Sequence, residues 1–439
     1  MASSGAGPGC CMTARFLRYA AATAKQFKIV SYDHPPALLP PNLGSGRFVW
    51  FVEIAGYVYP GATGGAKSFV LFDFNAATNE YEPSNAISGA DYGPSPNGRV
   101  CMVGATTLEV ITPSDTVGAC DRSVITIGAA PATSMTYTSR TPAAYTEVGA
   151  VNNLHARSTP LAYGGSMLYG FWLNGFSIGY TATNGYVQKV SPSAASRNAT
   201  ALRSSLPLDS TQGSPVKSIA GLGGAAPNGY LVADVSDWVT SAGVGTCRYR
   251  LLNCTGTPVA VGTELSYAGG ASTNARDRLV ALSATQVVAI DRETTSATST
   301  RLSLLNTNSA TAPTTLTKGA EVVMPPPVGY TVAQVDYSIV LAEEVASNQF
   351  IVSGKAVVWV LWGMLSGGVI FRPMLIASSG PANLTVTQLP AIDLRGHPLD
   401  ALPGGFAGIG PVVAAPGGKV VLFARRNRDG QYEQFCYQL

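Results

Sequence analysis

The apolar residues of this chain fall in short runs that alternate with clusters of Gly, Pro, Asn and Ser. One arrangement recurs: a strand of small residues, a turn and a second apolar strand. It is found at Pro160–Phe171, Leu279–Ile290 and Val412–Phe423. Repetition of one hairpin at intervals of tens of residues is typical of folds in which each unit packs on the next. The pattern therefore predicts an array of β-hairpins.

Aligning this phrase along the chain gives candidate unit starts near Val49, Val100, Leu161, Leu231, Val280, Val340 and Val413. The mean spacing of about 60 residues leaves room for a sheet of about four strands in each unit, and sheets of that size arranged radially form a β-propeller. We therefore expect an all-β fold: a β-propeller of about seven irregular blades over residues 46–439. Two β-sandwich-like domains are the alternative, because the chain carries no Trp-Asp, kelch or Asp-box signature.

Residues 1–45 differ from the rest of the chain and read as an N-terminal arm. The pattern within Thr13–Val30 predicts a short helix, and the prolines that follow favour an extended, polyproline-like linker. An arm of this kind either closes the fold or docks on a neighbouring molecule. The residues that we expect to carry docking are Phe16, Leu17, Tyr19, Phe27, Pro35, Pro36, Pro40 and Pro41.

Charge is sparse in this chain. Only 12% of its residues are charged, against about 25% in an average globular domain, and the net charge is +3. No run of Lys and Arg interleaved with aromatic residues is present, so we expect no nucleic-acid partner. The longest apolar stretch, Ala356–Phe371, is interrupted by Ser366-Gly367-Gly368 and is shorter than a membrane span requires. It predicts a buried β-hairpin instead, and no membrane span is expected.

The sequence contains few candidate catalytic residues. No phosphate-binding loop, nucleophile elbow or metal-ligand spacing is present, so we assign no catalytic residue, no metal site and no cofactor. The 7 cysteines include two pairs that could face each other across single hairpins, Cys101 with Cys120 and Cys247 with Cys254. Disulfides at these pairs and reduced, buried thiols are both open, because free Cys packs as a small apolar side chain.

One acidic cluster could bind a sugar. Asp234, Asp237 and Trp238 follow a predicted strand, and they combine two carboxylates with an indole ring. Paired carboxylates perform acid and base catalysis in glycosidases when they face one cleft. The cluster supports the hypothesis of a carbohydrate-binding or glycan-processing propeller, for which a hairpin loop with a buried indole is the alternative explanation.

The low charge, the abundance of Ala, Gly, Thr and Ser, the arm and the loose β-repeats together resemble structural proteins of tailed-bacteriophage virions, in the tail, fibre or tip complex. The resemblance implies a non-enzymatic virion component that is made in the host cytoplasm without a signal peptide. It also implies other virion proteins as partners, multiple copies or a homo-oligomer in an assembly, and contact with a host-surface glycan.

Overall fold

The structure is a computed structural model. It describes residues 15–20, 28–29, 46–55, 67–88, 99–104, 106–113, 119–144, 153–156, 161–163, 166–174, 185–190, 198–201, 218–223, 228–236, 245–269, 279–292, 299–325, 332–341, 355–364, 369–388, 392–393, 409–417, 419–425 and 432–438. The regular structure of these residues is entirely β, in strands β1 to β30. The described residues contain no helix that could span a membrane.

The strands form seven antiparallel sheets of four or five strands each, which we number as blades in chain order. Blade 1 contains β2 (Lys28–Ile29), β3 (Arg47–Ala55), β4 (Lys67–Asn75) and β5 (Glu80–Ser88). Blade 2 contains β6 (Arg99–Gly104), β7 (Thr107–Pro113), β8 (Ala119–Ile127) and β9 (Met135–Ala144). Blade 3 contains β10 (Asn153–Ala156), β11 (Leu161–Tyr163), β12 (Ser166–Asn174), β13 (Gly185–Val190) and β14 (Asn198–Ala201).

The remaining blades follow the same plan. Blade 4 contains β15 (Ser218–Gly221), β16 (Tyr230–Asp234), β17 (Gly245–Asn253) and β18 (Val259–Gly269). Blade 5 contains β19 (Leu279–Ala281), β20 (Gln286–Arg292), β21 (Thr300–Thr307) and β22 (Leu316–Met324). Blade 6 contains β23 (Val332–Leu341), β24 (Lys355–Met364), β25 (Val369–Gly380), β26 (Asn383–Gln388) and β27 (Ile392–Asp393). Blade 7 contains β28 (Ile409–Ala415), β29 (Lys419–Arg425), β30 (Tyr432–Gln438) and β1 (Arg15–Ala20).

Contacts between blades close the seven sheets into a ring. Each blade contacts the next one along the chain, as in the pairs β5 and β9, β15 and β19, and β23 and β28. Blade 7 contacts blade 1 through β30 and β5. A ring of such small sheets, each hydrogen-bonded within itself and packed on its neighbours, is a β-propeller. The predicted all-β propeller is therefore confirmed.

The repeated sequence phrase corresponds to the inner half of the blades. Its three copies are the hairpins β11–β12, β19–β20 and β28–β29. Each of the seven predicted unit starts lies in a different blade. Val49 and Leu231 fall in the second strand of their blades, β3 and β16. A short apolar run at Gln349–Val352 also predicts a strand, and it lies outside the described residues.

The core lies between the blades. Val49, Phe69 and Leu71 of blade 1 pack with Leu108 and Ile125 of blade 2. In blade 4, alternate residues form two apolar clusters, one on each face of the sheet. One cluster packs with residues of blade 5, and the other lies on the opposite face. The inner strands of blade 4 are thus apolar on both faces, which explains why Leu231-Val232-Ala233 reads as a continuous apolar run.

The helix predicted within Thr13–Val30 is wrong for the residues that the structure describes. Arg15–Ala20 form strand β1 on the edge of blade 7, and Lys28 and Ile29 form β2 of blade 1. An isolated helix this short is marginal in water, whereas an adjacent strand edge offers hydrogen bonds at once. Of the other predicted docking residues, Phe27, Pro35, Pro36, Pro40 and Pro41 lie outside the described residues.

The two possible disulfides do not match the strand register. Cys247 and Cys254 are buried free thiols, and they belong to clusters on opposite faces of blade 4. Cys101 lies on β6 opposite Glu109, and Cys120 lies on β8 opposite Pro113. Strand β7 separates β6 from β8, so the backbone does not place this second pair across one hairpin.

Candidate functional site

The candidate site begins at Asp234, which ends the second strand of blade 4. Its Oδ1 accepts hydrogen bonds from the backbone N–H of Ser236 at 2.9 Å and from the Ser236 hydroxyl at 2.5 Å. The Ser236 Oγ in turn accepts the N–H of Arg248 at 2.9 Å, and the Val235 N–H donates to the Arg248 carbonyl at 2.9 Å. These bonds fix the first residues of the loop between β16 and β17.

This geometry gives Asp234 a structural role. Both Asp234 and Ser236 have no exposed surface. A carboxylate that is enclosed and hydrogen-bonded to the next turn supports the local backbone and does not face a ligand. The other two residues of the predicted cluster, Asp237 and Trp238, lie outside the described residues.

A buried polar layer extends from this point into the junction between blades 4 and 5. Ser218 lies opposite Asp234 on the first strand of blade 4, and its Oγ accepts the N–H of Leu279 from the first strand of blade 5 at 3.1 Å. Ser218 has no exposed surface. The innermost strands of the two blades are thus linked by a hydrogen bond at the end where the β16–β17 loop begins.

Deeper in the same junction, Asp291 of blade 5 is the centre of a buried network. The Tyr249 hydroxyl lies 3.3 Å from both carboxylate oxygens of Asp291, and the Tyr267 hydroxyl lies 3.4 Å from Oδ2. Arg301 Nη2 lies 3.5 Å from the same Oδ2. Asp291 has no exposed surface, and Arg301 is 4% exposed. A buried carboxylate is stable only with such partners.

Arg301 joins this network to the outer strands. Its Nη1 donates to the carbonyl of Ala268 in blade 4 at 3.1 Å, and its Nη2 lies 3.7 Å from the Cys247 Sγ. Its Nε lies 3.7 Å from Glu321 Oε2, which also pairs with Lys318 Nζ at 2.5 Å. The Lys318 ammonium and the Arg301 guanidinium lie 4.4 Å and 5.3 Å from the centre of the Tyr267 ring. We call Asp291, Arg301, Tyr249, Tyr267, Glu321 and Lys318 the junction network.

The network shifts the ionisation of its members. Burial raises the pKa of Tyr249 and of Tyr267, and the negative charge of Asp291 raises both further. The Asp234 carboxylate also raises the pKa of Tyr249. For Arg301, burial lowers the pKa, but the interactions with Asp291, Cys247, Tyr267 and Glu321 outweigh that effect and the net pKa is raised.

What the junction network can do chemically is to hold two blades together. The two carboxylates, Asp291 and Glu321, and the two cations, Arg301 and Lys318, all belong to blade 5, and their charges balance. Blade 4 is attached to them by the Tyr249 and Tyr267 hydroxyls and by the Ala268 carbonyl. Within the described residues, no group of three or more His, Cys, Asp or Glu side chains is placed to hold a metal ion. Neither Asp291 nor Arg301 belongs to a motif that marks it as a site residue in the sequence. The available signal was an ionisable residue at the end of an otherwise apolar strand, in Val287-Val288-Ala289-Ile290-Asp291.

Fold and junction together define a seven-bladed β-propeller in which groups of the fourth blade hydrogen-bond to a buried ion pair of the fifth. No protein-family model and no curated protein matches the chain. Solved structures with a similar overall course include an α-L-arabinanase of Penicillium chrysogenum in complex with arabinobiose, at 11% identity and a TM-score of 0.42 over 96% of this chain and 98% of that one.

Two other solved structures resemble the chain. The core factor of S. cerevisiae matches at 8% identity and a TM-score of 0.42, over 98% of this chain and 62% of that one. The haemagglutinin-neuraminidase ectodomain of parainfluenza virus 5 matches at 9% identity and a TM-score of 0.33, over 84% of this chain and 86% of that one. At these identities and TM-scores, the similarities assign no activity to this chain.

Proposed function

We propose that this protein is a carbohydrate-binding β-propeller that contacts its ligand with the loop following Asp234. The observation that supports the proposal is the set of hydrogen bonds made by Asp234 and Ser236, which fix the start of that loop on blade 4. The sequence continues with Asp237 and Trp238. An aromatic ring and a few polar groups on a preorganised scaffold are what a small polar ligand needs for affinity and orientation.

Binding is favoured over glycoside hydrolysis. Hydrolysis by the common mechanism needs two carboxyl groups that both face the sugar, about 5–9.5 Å apart. Asp234 is enclosed, and its Oδ1 is hydrogen-bonded to Ser236. The pair Asp234 and Asp237 therefore lacks the second available carboxylate that a glycosidase centre at this loop requires.

The test is a glycan screen with the full chain, followed by variants of the loop. We expect Trp238→Ala and Asp237→Asn each to weaken binding at least tenfold, because they remove the stacking surface and the hydrogen-bonding carboxylate. Thr311→Ala is the matched control, since Thr311 is an exposed residue in the β21–β22 turn of blade 5. Unchanged affinity in both loop variants contradicts the assigned loop, and a wild-type chain that binds no glycan contradicts the ligand class.

A virion component is the second candidate. Its supporting observation is the sparse charge, 12% of residues, which suits a surface packed among neighbouring proteins. This proposal places the chain in a tailed-bacteriophage particle that is assembled in the host cytoplasm. Mass spectrometry with copy counting on density-purified particles tests it: a fixed ratio to a capsid protein supports the role, and absence from the particles contradicts it.

A further inference from the structure

One strand pairing joins the two ends of the chain. β1 lies antiparallel to β30, with Arg15 opposite Gln438, Arg18 opposite Cys436 and Ala20 opposite Gln434. In the other described sheets, each strand pairs with strands that are close to it in sequence. The outer strand of blade 7 is therefore supplied by a segment that no hairpin connects to the rest of its blade.

Blade 7 also contacts blade 1 through residues outside this strand. The Gln434 side chain of β30 accepts the N–H of Tyr81 at 2.7 Å and donates to the Tyr81 carbonyl at 2.8 Å, so that one amide satisfies both backbone groups of a residue in blade 1. Pro416, in the β28–β29 turn, packs against Gly46 so closely that a Cβ at position 46 would overlap its ring. Both contacts join blade 7 to blade 1 without any atom of β1.

We propose that the outer edge of β30 is a strand-acceptor site, which a second copy of this chain can fill with its own Arg15–Ala20. When β1 leaves, the side-chain contacts of Gln434 and Pro416 keep the ring closed, and the exposed edge retains the register that accepts this hexapeptide. Strand addition to an open sheet edge gains main-chain hydrogen bonds, and exchange of an identical segment is a low-cost route to a dimer.

The covalent linkage limits the geometry of such a dimer. Seven residues, 21–27, connect β1 to β2 of blade 1. A linker of that length spans at most about 25 Å when fully extended. The blade 7–blade 1 junctions of the two copies must therefore lie next to each other, around a twofold axis. In dilute solution the strand of the same copy competes at an effective concentration of about millimolar, so exchange requires concentrated protein or joint refolding.

The experiment uses two single-cysteine variants of the full chain. Arg15→Cys and Gln438→Cys are mixed, unfolded, refolded together at about millimolar concentration and oxidised. Directly opposed residues in an antiparallel pair have Cα atoms about 4.5–5.5 Å apart, which a disulfide can bridge. Because each variant carries one of the two cysteines, a link between positions 15 and 438 forms only between copies. Peptide mass spectrometry identifies that link among those of the native cysteines.

The expected result is a covalent dimer with the 15–438 link, and its yield rises with protein concentration. Arg15→Cys mixed with Lys419→Cys is the matched control and should give no such link, because Lys419 lies opposite Gln438 on β29, on the side away from β1. The double variant Arg15→Cys/Gln438→Cys should cross-link within one copy when dilute. The proposal is overturned if the double variant fails to cross-link, or if it cross-links while the mixed single variants give only monomer.

Discussion

At the scale of single residues, the junction between blades 4 and 5 leaves no room for additional atoms. Gly269 ends β18, and a Cβ built there would overlap both the Cys247 Sγ and the Arg301 Nη2. We predict that Gly269→Ala lowers the free energy of unfolding by about 1–3 kcal/mol, as overpacking of a filled core does. Gly256→Ala is the control, since a Cβ at that position meets nothing within 4 Å, and it should change stability by less than about 0.5 kcal/mol. Urea unfolding measures both, and equal values for the two variants contradict the prediction.

The ion pair of Arg301 and Asp291 should show strong coupling. Arg301→Met leaves the enclosed carboxylate of Asp291 without its guanidinium, and we expect a loss of about 3–5 kcal/mol. The double variant Arg301→Met/Asp291→Asn should lose less stability than the sum of the losses in the two single variants, because each single variant already breaks the pair. In contrast, Arg248→Met removes a partly exposed pair with Glu264 and should cost less than about 1 kcal/mol. Additive losses in the first pair contradict the network.

The two buried tyrosines of the network predict sensitivity to high pH. Burial, followed by the charge of Asp291, raises the pKa of Tyr249 and Tyr267 above the value of about 10 that holds in the unfolded chain. Below pH 10 both states keep these protons. Above it the unfolded state releases them while the folded state retains them, so stability falls by up to about 1.4 kcal/mol per pH unit for each group. Urea unfolding between pH 8 and pH 11 should show this slope, and Tyr249→Phe with Tyr267→Phe should reduce it. An unchanged slope in that double variant contradicts the assignment.

At the residue scale, the sequence pointed to Asp234 but not to Asp291 or Arg301. Asp234 was visible in the sequence because it lies near Asp237 and Trp238, but its enclosure by Ser236 depends on the fold. Asp291 and Arg301 are 10 residues apart, and Asp291 meets Tyr249 and Arg301 meets Tyr267, both from another blade. No local pattern links residues that are brought together only by the packing of two sheets, so the junction network could not be predicted.

At the scale of elements, periodicity and turns were sufficient for the strands in the body of the chain. The hairpins β19–β20 and β28–β29 follow directly from the repeated phrase, because each strand meets the partner next to it in sequence. β1 was missed for the opposite reason: its partner, β30, lies at the other end of the chain. The short segment Arg15–Ala20 fits several local conformations, and the sheet edge decides between them.

Strand β30 should stabilise the junction of blades 7 and 1 through the side chain of Gln434. Gln434→Ala removes both bonds to the backbone of Tyr81, and we expect a loss of about 1–3 kcal/mol. Gln438→Ala is the matched control on the same strand, since its side chain donates to the Gly417 carbonyl within blade 7. The control should cost less than about 1 kcal/mol. Thermal or urea unfolding of the two variants distinguishes them, and a larger loss for Gln438→Ala contradicts this role of Gln434.

At the scale of the whole molecule, the ring is held together at the junctions between neighbouring blades. Buried hydrogen bonds and charges cross several junctions: Arg47 of blade 1 donates to the carbonyls of Gly128 and Ala132 in blade 2, and Asn306 of blade 5 donates to the Pro381 carbonyl in blade 6. Blade count and all-β class were predictable because they repeat along the sequence. These junction contacts differ from one pair of blades to the next, so no repeat could reveal them.

A hydrogen-exchange experiment should therefore distinguish the closure of the ring from the pairing of β1 with β30. The Tyr81 N–H donates to the Gln434 side chain and reports on the blade 7–blade 1 junction alone. We expect that deletion of residues 1–20 leaves the peptide containing Tyr81 protected, because its partner stays in place, while exchange in β30 becomes faster. Gln434→Ala in the full chain should give the reverse: fast exchange at Tyr81 while β1 and β30 stay paired. Loss of protection at Tyr81 in the deletion variant means that the N-terminal strand itself holds the ring closed.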